Sequence, residues 1–227
     1  MIPQVRMSSF FRLAVVSACC SCLLAAAGTS RGQERETASA PPEPLSCVHA
    51  PDGRVTVRGT AMGTVFTVRA YPGHGMDAAQ TEKACMESLA CAVRWEKVMS
   101  AMDAGSGLAR LNAAENGVSV PVSLELEKAL LLALDYARLT KGAFDPTLGP
   151  CIRLWKKSRR HGVLPSGGEL ERARRASGWE KLYVGKGAAV KTVPGMRVDL
   201  GGMGKGFAVD RICLLYTSPS PRDRQKS

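Results

Sequence analysis

Val198-Asp199-Leu200-Gly201-Gly202-Met203-Gly204-Lys205-Gly206-Phe207-Ala208-Val209-Asp210 reads as a strand end, a glycine-rich bend and a helix start. The strand end delivers one carboxylate, Asp199. The glycines let backbone come close to a ligand, and Lys205 adds a mobile positive charge beside N–H groups that favour phosphate. The order of a Walker A loop, Gly-x-x-x-x-Gly-Lys-Ser/Thr, is absent, and so is the Gly-x-Gly-x-x-Gly spacing of a dinucleotide fingerprint. On its residues alone this stretch is either a cradle for phosphate or a tight structural turn.

A second stretch lies upstream: Gly142-Ala143-Phe144-Asp145-Pro146-Thr147-Leu148-Gly149-Pro150, followed by Leu154-Trp155. Pro146 drives Asp145 away from helical backbone, so its carboxylate is held on an extended segment. Gly149-Pro150 is a second constraint, and a plain Asx turn remains the alternative. A third, Ala61-Met62-Gly63-Thr64, places a glycine and a hydroxyl at a strand start. Met99-Ser100 and Ser106, Arg110 and Asn112 mark a polar patch after a long helix.

Between these segments helices alternate with sparse strands. Gly59 reads as a turn, and Phe66, Val68 and Ala70 alternate with Thr67 and Arg69 as in a strand. Ala78 to Met99 lacks Gly and Pro and predicts a long helix with Met86, Leu89, Val93 and Val98 as its apolar stripe, and Trp95 in the core. Ser106–Asn112 is a short helix. Ser123 is an N-cap with Glu125 and Glu127 in the first turn of a helix to about Thr140, its Leu126, Leu130, Ala133 and Leu134 facing a core. A helix over Glu169–Ala176 and a strand over Trp179–Val184, turned back at Gly185-Lys186-Gly187, complete an α+β (mixed α/β) domain.

The chain has 227 residues, 45% hydrophobic and 22% charged, which describes a globular domain with a real core. Its net charge of +11 suits an anionic partner without choosing one. The dense basic run, Lys156 to His161, reads as a solvated loop, with attraction of an anionic substrate as the alternative. No zinc-finger spacing or RNA-binding strand accompanies it, so nucleic acid is not expected. No Gly-x-Ser-x-Gly elbow occurs, and His49, His74 and His161 all fall in loop-like surroundings, which argues against a histidine triad or a histidine-rich metal site. A metal held by oxygen donors would be magnesium or calcium.

Residues 1–28 carry Arg6 and Arg12 ahead of an apolar run, Leu13–Ala27, as in an export leader. Ala25-Ala26-Ala27 offers cleavage before Gly28, whereas Val16-Ser17-Ala18-Cys19 resembles a lipobox that would put a lipid anchor on Cys19. Both place the mature domain outside the cytoplasm. Residues 29–52, rich in Ser, Pro, Glu and Gly, read as a flexible linker. Cys47, Cys85, Cys91, Cys151 and Cys213 match neither a metal knuckle nor a redox pair and read as plain thiols, with a disulfide through Cys47 left open.

Together the motifs resemble the FAD:protein FMN transferases, the ApbE-like flavin transferases, over roughly residues 55–212. The pieces fall in family order: Met62-Gly63-Thr64; Met99-Ser100 with Gly107-Leu108-x-Arg110-Leu111-Asn112; Gly142-x-Phe144-Asp145-Pro146-Thr147-x-Gly149-Pro150 with Leu154-Trp155; and Asp199-Leu200-Gly201-Gly202-x-Gly204-Lys205-Gly206-x-Ala208-x-Asp210. The resemblance implies an ApbE-like fold whose transferase domain begins near residue 53. It implies FAD as substrate, contacted by Met62, Ala143, Phe144, Asp145, Asp199 and Lys205, with Gly202 offering a carbonyl to Mg²⁺ and Asp199 and Lys205 serving catalysis. A Thr or Ser hydroxyl of an acceptor flavoprotein would attack the FMN-side phosphorus, and AMP would leave. Periplasmic export, often as a membrane-anchored lipoprotein, also fits.

The chain departs from the family at Met102, which stands near the flavin where an aromatic ring is usual, and at Ser106-Gly107. Family members continue beyond Arg211-Ile212 with further magnesium ligands, whereas residues 213–227 are Ser/Pro/basic in character. The expectation is therefore an incomplete C-terminal end, an unrelated tail and an inactive chain. The rival readings are an FAD-binding protein without transfer, an FAD pyrophosphatase, and a non-catalytic module for an anionic ligand.

Overall fold

The computed structural model describes residues 45–73 and 75–217. The expected leader, Cys19, His74, and parts of the expected linker and tail lie outside the described residues. The chain divides into two compact units, one ending at Val93 and the other starting at Arg94. Among the described residues it is a mixed helix-and-sheet fold with two small sheets, as the α+β reading expected.

The first unit holds an antiparallel meander, β1 (Ser46–His49), β2 (Val55–Ala61) and β3 (Thr64–Ala70), in that spatial order. Period-two burial is clear in β2, where Val55, Val57, Gly59 and Ala61 are buried and Thr56, Arg58 and Thr60 are not. Gly59 is no turn. It sits inside β2 opposite Phe66, and a Cβ there would lie 2.5 Å from a methyl of Leu89. The glycine is needed for close helix–sheet packing rather than for chain reversal. The reversal occurs at Met62-Gly63, both with positive φ (52° and 68°), the signature of a two-residue hairpin matched to strand twist. The linker reading fails at its C-terminal end, because Ser46–His49 pairs with β2 across Ser46↔Arg58 to His49↔Val55. The ladder with β2 orders a segment whose composition alone reads as loose. His49 is correspondingly a strand residue rather than a loop one.

Helix α1 (Ala78–Met99) has the predicted length but a different buried face. Thr81, Cys85, Ser88, Leu89, Ala92, Trp95 and Met99 are buried, while Met86, Val93 and Val98 are only half-buried. Small side chains occupy the inner face, so a search for bulky apolar residues finds its flank.

The second unit contains α2 (Gly107–Ala113), β4 (Ser119–Pro121), α3 (Leu124–Leu139), α4 (Gly149–His161), α5 (Gly167–Arg175), a 3₁₀ turn (Trp179–Lys181), β5 (Leu182–Gly185), β6 (Ala188–Lys191) and α6 (Gly201–Thr217). The strands form an antiparallel sheet ordered β4-β6-β5. Ser106, Ser123 and Ser166 cap α2, α3 and α5 by accepting the third following N–H, and Ser166 with Glu169 forms a reciprocal capping box. Leu126, Leu130, Ala133 and Leu134 are buried along α3, as their spacing predicts. The strand expected over Trp179–Val184 is a 3₁₀ turn followed by β5.

Helix α4 replaces the loop expected over Lys156–His161. Pro150 stands in its first turn and Gly162 ends it in left-handed backbone (φ 67°). Those are ordinary start and stop signals, and they are obscured because only Gly149 of the helix is buried. His161 is therefore the last helical residue.

Candidate functional site

The two motif stretches of the second unit are joined backbone to backbone. Asp199 N–H donates to Pro146 O at 2.8 Å and Gly149 N–H donates to Arg197 O at 3.2 Å, with a parallel bridge between Leu148 and Arg197. Gly149 is required there: a Cβ would stand 2.5 Å from the Arg197 carbonyl oxygen. The strand end expected at Val198-Asp199-Leu200 is thus a correction. Beyond the single bridge at Arg197 these residues form no ladder, because other groups take their hydrogen bonds. Asn112 plays the part of a neighbouring strand, its Nδ2 donating to Val198 O (2.8 Å) and its Oδ1 accepting Val198 N–H (2.6 Å).

Lys191 secures the approach to this segment from β6. It is 4% exposed, and its Nζ donates to the carbonyls of Asn112 (3.0 Å), Ala114 (2.8 Å) and Met196 (3.3 Å). Burial, with Arg197 nearby as the lesser cause, pulls its pKa down, but three carbonyl acceptors around one ammonium meet its hydrogen-bonding needs. The end of α2 and the Met196–Val198 segment are held together by Lys191 and Asn112.

Asp145 is braced internally. Its Oδ1 accepts Thr147 N–H (2.7 Å) and Thr147 Oγ1–H (2.6 Å), and its Oδ2 accepts Trp179 N–H (3.2 Å). Thr147, fully buried, in turn accepts Gly178 N–H on Oγ1 at 2.7 Å. The geometry contains the Asx turn held as the alternative for this motif, and both Asp145 oxygens are engaged in bracing it.

Asp199 is placed differently. One carboxylate oxygen accepts Gly201 N–H at 2.8 Å, which sets the charge at the N-terminus of α6, where the helix dipole favours it. Among the described residues its other oxygen makes no hydrogen bond. Lys205, one turn into α6, is exposed and forms no ion pair among the described residues. Gly202 lies between them in the first turn, and a Cβ on it would come to 3.3 Å from the Phe144 ring. A helical carbonyl there keeps a second lone pair on its outer side.

Phe144 and Gly202 also share an open groove of about 370 Å³. Tyr136 and Thr140 line it from α3 and its end, and Met203, Phe207 and Asp210 from α6. Phe144 is set by its own N–H donating to Thr140 Oγ1 (3.0 Å) and by an edge-on contact with Tyr136, centroids 6.4 Å apart. Phe207 rests edge-on against the buried Trp95 at 4.7 Å. Aromatic and apolar walls with one carboxylate at the rim suit a flat heteroaromatic ring, and the volume suits one such ring system rather than a whole dinucleotide.

Six of the expected residues, Ala143, Phe144, Asp145, Asp199, Gly202 and Lys205, thus fall on the two joined motifs. Ala143 is exposed beside Phe144. Met102 is 89% exposed in the turn after α1 and does not line the groove. Met62 belongs to the first unit, half-buried at the hairpin between β2 and β3. Reading the sequence passed over Lys191, Thr147, Tyr136 and Phe207. Thr147 two residues after Asp145 was the one local signal available; Lys191 finds two of its acceptors and Phe207 its Trp95 contact far along the chain, and Tyr136 meets Phe144 only across the turn that follows α3.

The ApbE family pattern matches residues 62–219, reaching past the boundary expected at Ile212, and α6 likewise runs on to Thr217. A FAD:protein FMN transferase of Treponema pallidum is 32% identical over 164 residues, 69% of this chain and 45% of that protein. A FAD:protein FMN transferase of Vibrio cholerae is 29% identical over 170 residues, 74% of this chain and 50% of its own length. The chain therefore spans about half the length of the curated relatives it matches. Among solved structures, the flavin transferase ApbE from Vibrio cholerae superposes with a TM-score of 0.64 at 26% identity, covering 73% of this chain and 53% of that one. The ApbE protein of Thermotoga maritima gives 0.62 at 27%, covering 71% and 53%. With the paired motifs, the matched pattern and these likenesses agreeing, the chain belongs to the ApbE family.

Proposed function

We propose that this chain supplies the FAD-holding part of a magnesium-dependent FAD:protein FMN transferase, acting on a Thr or Ser hydroxyl of an acceptor flavoprotein. The observation that carries the reading is the junction of the two motifs, which leaves one Asp199 oxygen and the Lys205 ammonium available at the N-terminus of α6. A helix N-terminus flanked by a lysine is suited to a diphosphate. Magnesium prefers hard oxygen donors and completes its shell from phosphates, so the second Asp199 oxygen and the Gly202 carbonyl are donors of the right class. When bound, the ion would polarise the phosphate oxygens and offset charge gathering on the leaving group.

The chain's own residues have separable tasks. Lys205 neutralises charge on the phosphates as the diphosphate bond breaks. Asp199 orients the α6 N-terminus and contributes an oxygen to the cation. Phe144, with Ala143 beside it, Tyr136 and Phe207 form a flat seat for one ring of FAD. Asp145 keeps the Pro146 carbonyl where Asp199 N–H can reach it. Met62 and Met102 are further FAD contacts in this reading. The attacking oxygen belongs to the acceptor; its bond to the FMN phosphorus forms as the bond to AMP breaks, and the acceptor's proton passes to solvent or base. Export and a lipid on Cys19 belong to the same proposal and are tested by the mass of the mature N-terminus from membranes.

The experiment is a titration of FAD with the chain and with Asp199→Asn and Lys205→Met, alongside AMP release with Mg²⁺ and an acceptor. Loss of one charge-assisted contact should weaken FAD retention roughly tenfold or more. Unchanged retention in both variants would refute the reading. AMP appearing with free FMN and no acceptor would select a pyrophosphatase instead, and retention without AMP release an FAD-binding protein.

A further inference from the structure

Within the first unit, strand β1 and helix α1 bring together three metal-ligating side chains of three different kinds. Cys47 and His49 are two apart on β1 and so project from the same face of the sheet. Glu82 comes from the second turn of α1. The ligand atoms of all three lie within 4.8 Å of one another. His49 Nε2 is 2.8 Å from Glu82 Oε2 and 3.7 Å from Cys47 Sγ. Around a tetrahedral zinc ion, with bonds of about 2.3 Å to sulfur and about 2.0 Å to nitrogen, the sulfur–nitrogen edge is about 3.5 Å. The observed pair is within a few tenths of that edge. The His49–Glu82 pair needs only to open slightly.

We propose that Cys47, His49 and Glu82 form a binding site for a zinc-class divalent ion, with three protein ligands and a fourth position left to solvent. Thiolate, imidazole and carboxylate together select zinc over magnesium or calcium, which prefer all-oxygen shells. An ion here would tie β1 to α1, two elements otherwise joined at this point by a half-exposed ion pair of little energetic weight. None of the three residues belongs to the FAD proposal, and Cys47 and His49 precede the residues matched by the family pattern. Cys85 lies one helical turn beyond Glu82, is 2% exposed, and falls outside the ligand cluster.

The test is cobalt(II) titration of the reduced, untagged 227-residue chain, following the thiolate-to-cobalt charge-transfer band in the near ultraviolet. The expected result is one equivalent bound, displaced by zinc and not by magnesium. Cys47→Ser should abolish the band, and His49→Ala and Glu82→Gln should each weaken binding tenfold or more. Cys151→Ser should leave it unchanged. Since His49 is half-exposed, His49→Ala should fold, and zinc should raise the melting temperature of the parent chain but not of this variant. No band, a band that survives Cys47→Ser, or a Cys47–Cys85 disulfide in the isolated protein would overturn the proposal.

Discussion

Asp145 and Asp199 stand on neighbouring segments joined by the same backbone hydrogen bond, yet they are used in opposite ways. Asp145 commits both oxygens to Thr147 and Trp179, whereas Asp199 commits one, to Gly201, and keeps the other. The first carboxylate holds a loop in shape and the second is presented by that shape. A proline next to an aspartate and a glycine run next to an aspartate look equally purposeful in a sequence; the count of hydrogen bonds shows which carboxylate keeps an oxygen uncommitted.

The comparison can be broken from several sides. The largest effect is expected from Asp145→Ala, which strands the buried Thr147 hydroxyl and two backbone N–H groups. We expect a loss of about 3 kcal/mol in denaturant unfolding, since each hydrogen bond to a charged group is worth about 1.5–3 kcal/mol and neighbouring losses are not additive. Asn112→Leu comes next, at about 2–3 kcal/mol, because Val198 loses partners for both its N–H and its carbonyl in a buried setting. FAD retention should fall with it, as Asp199 is the next residue along. Gly149→Ala should cost about 1–3 kcal/mol, the Cβ forcing the Arg197 backbone away and opening the junction. A stability equal to the parent's in any of these would show that the junction is not what holds Asp199. The smallest effect belongs to Gly202→Ala, where the methyl meets only the edge of Phe144 at 3.3 Å; stability should change by about 0.5 kcal/mol or less, with any effect confined to ligand retention.

The predictions above concern a site of which the sequence showed half. Motifs with local logic were legible: the Ser106 and Ser123 caps, the α3 core face, the hairpin around Lys186-Gly187, and the glycine-rich start of α6. What stayed hidden depends on partners far along the chain. Asn112 and Val198 are 86 residues apart, so nothing near Asn112 announces that it substitutes for a strand. Lys191 looks like any surface lysine of a short strand until three carbonyls are seen around it. Helix α4 was hidden for another reason: its second half, Lys156–His161, is wholly polar, so the apolar spacing that reveals a helix is confined to its first turns. The inner face of α1 was misjudged because Cys85, Ser88 and Ala92 are small.

The most direct test measures two quantities on two conservative variants, Asp145→Asn and Asp199→Asn: the unfolding free energy and the FAD dissociation constant. The account predicts that Asp145→Asn lowers stability by about 1–2 kcal/mol, whereas Asp199→Asn leaves it nearly unchanged because asparagine caps a helix about as well. Asp199→Asn should instead weaken FAD retention by roughly tenfold or more. If the two variants exchanged these behaviours, or if Asp199→Asn lost stability while holding FAD as the parent does, the division between brace and binding group would be contradicted.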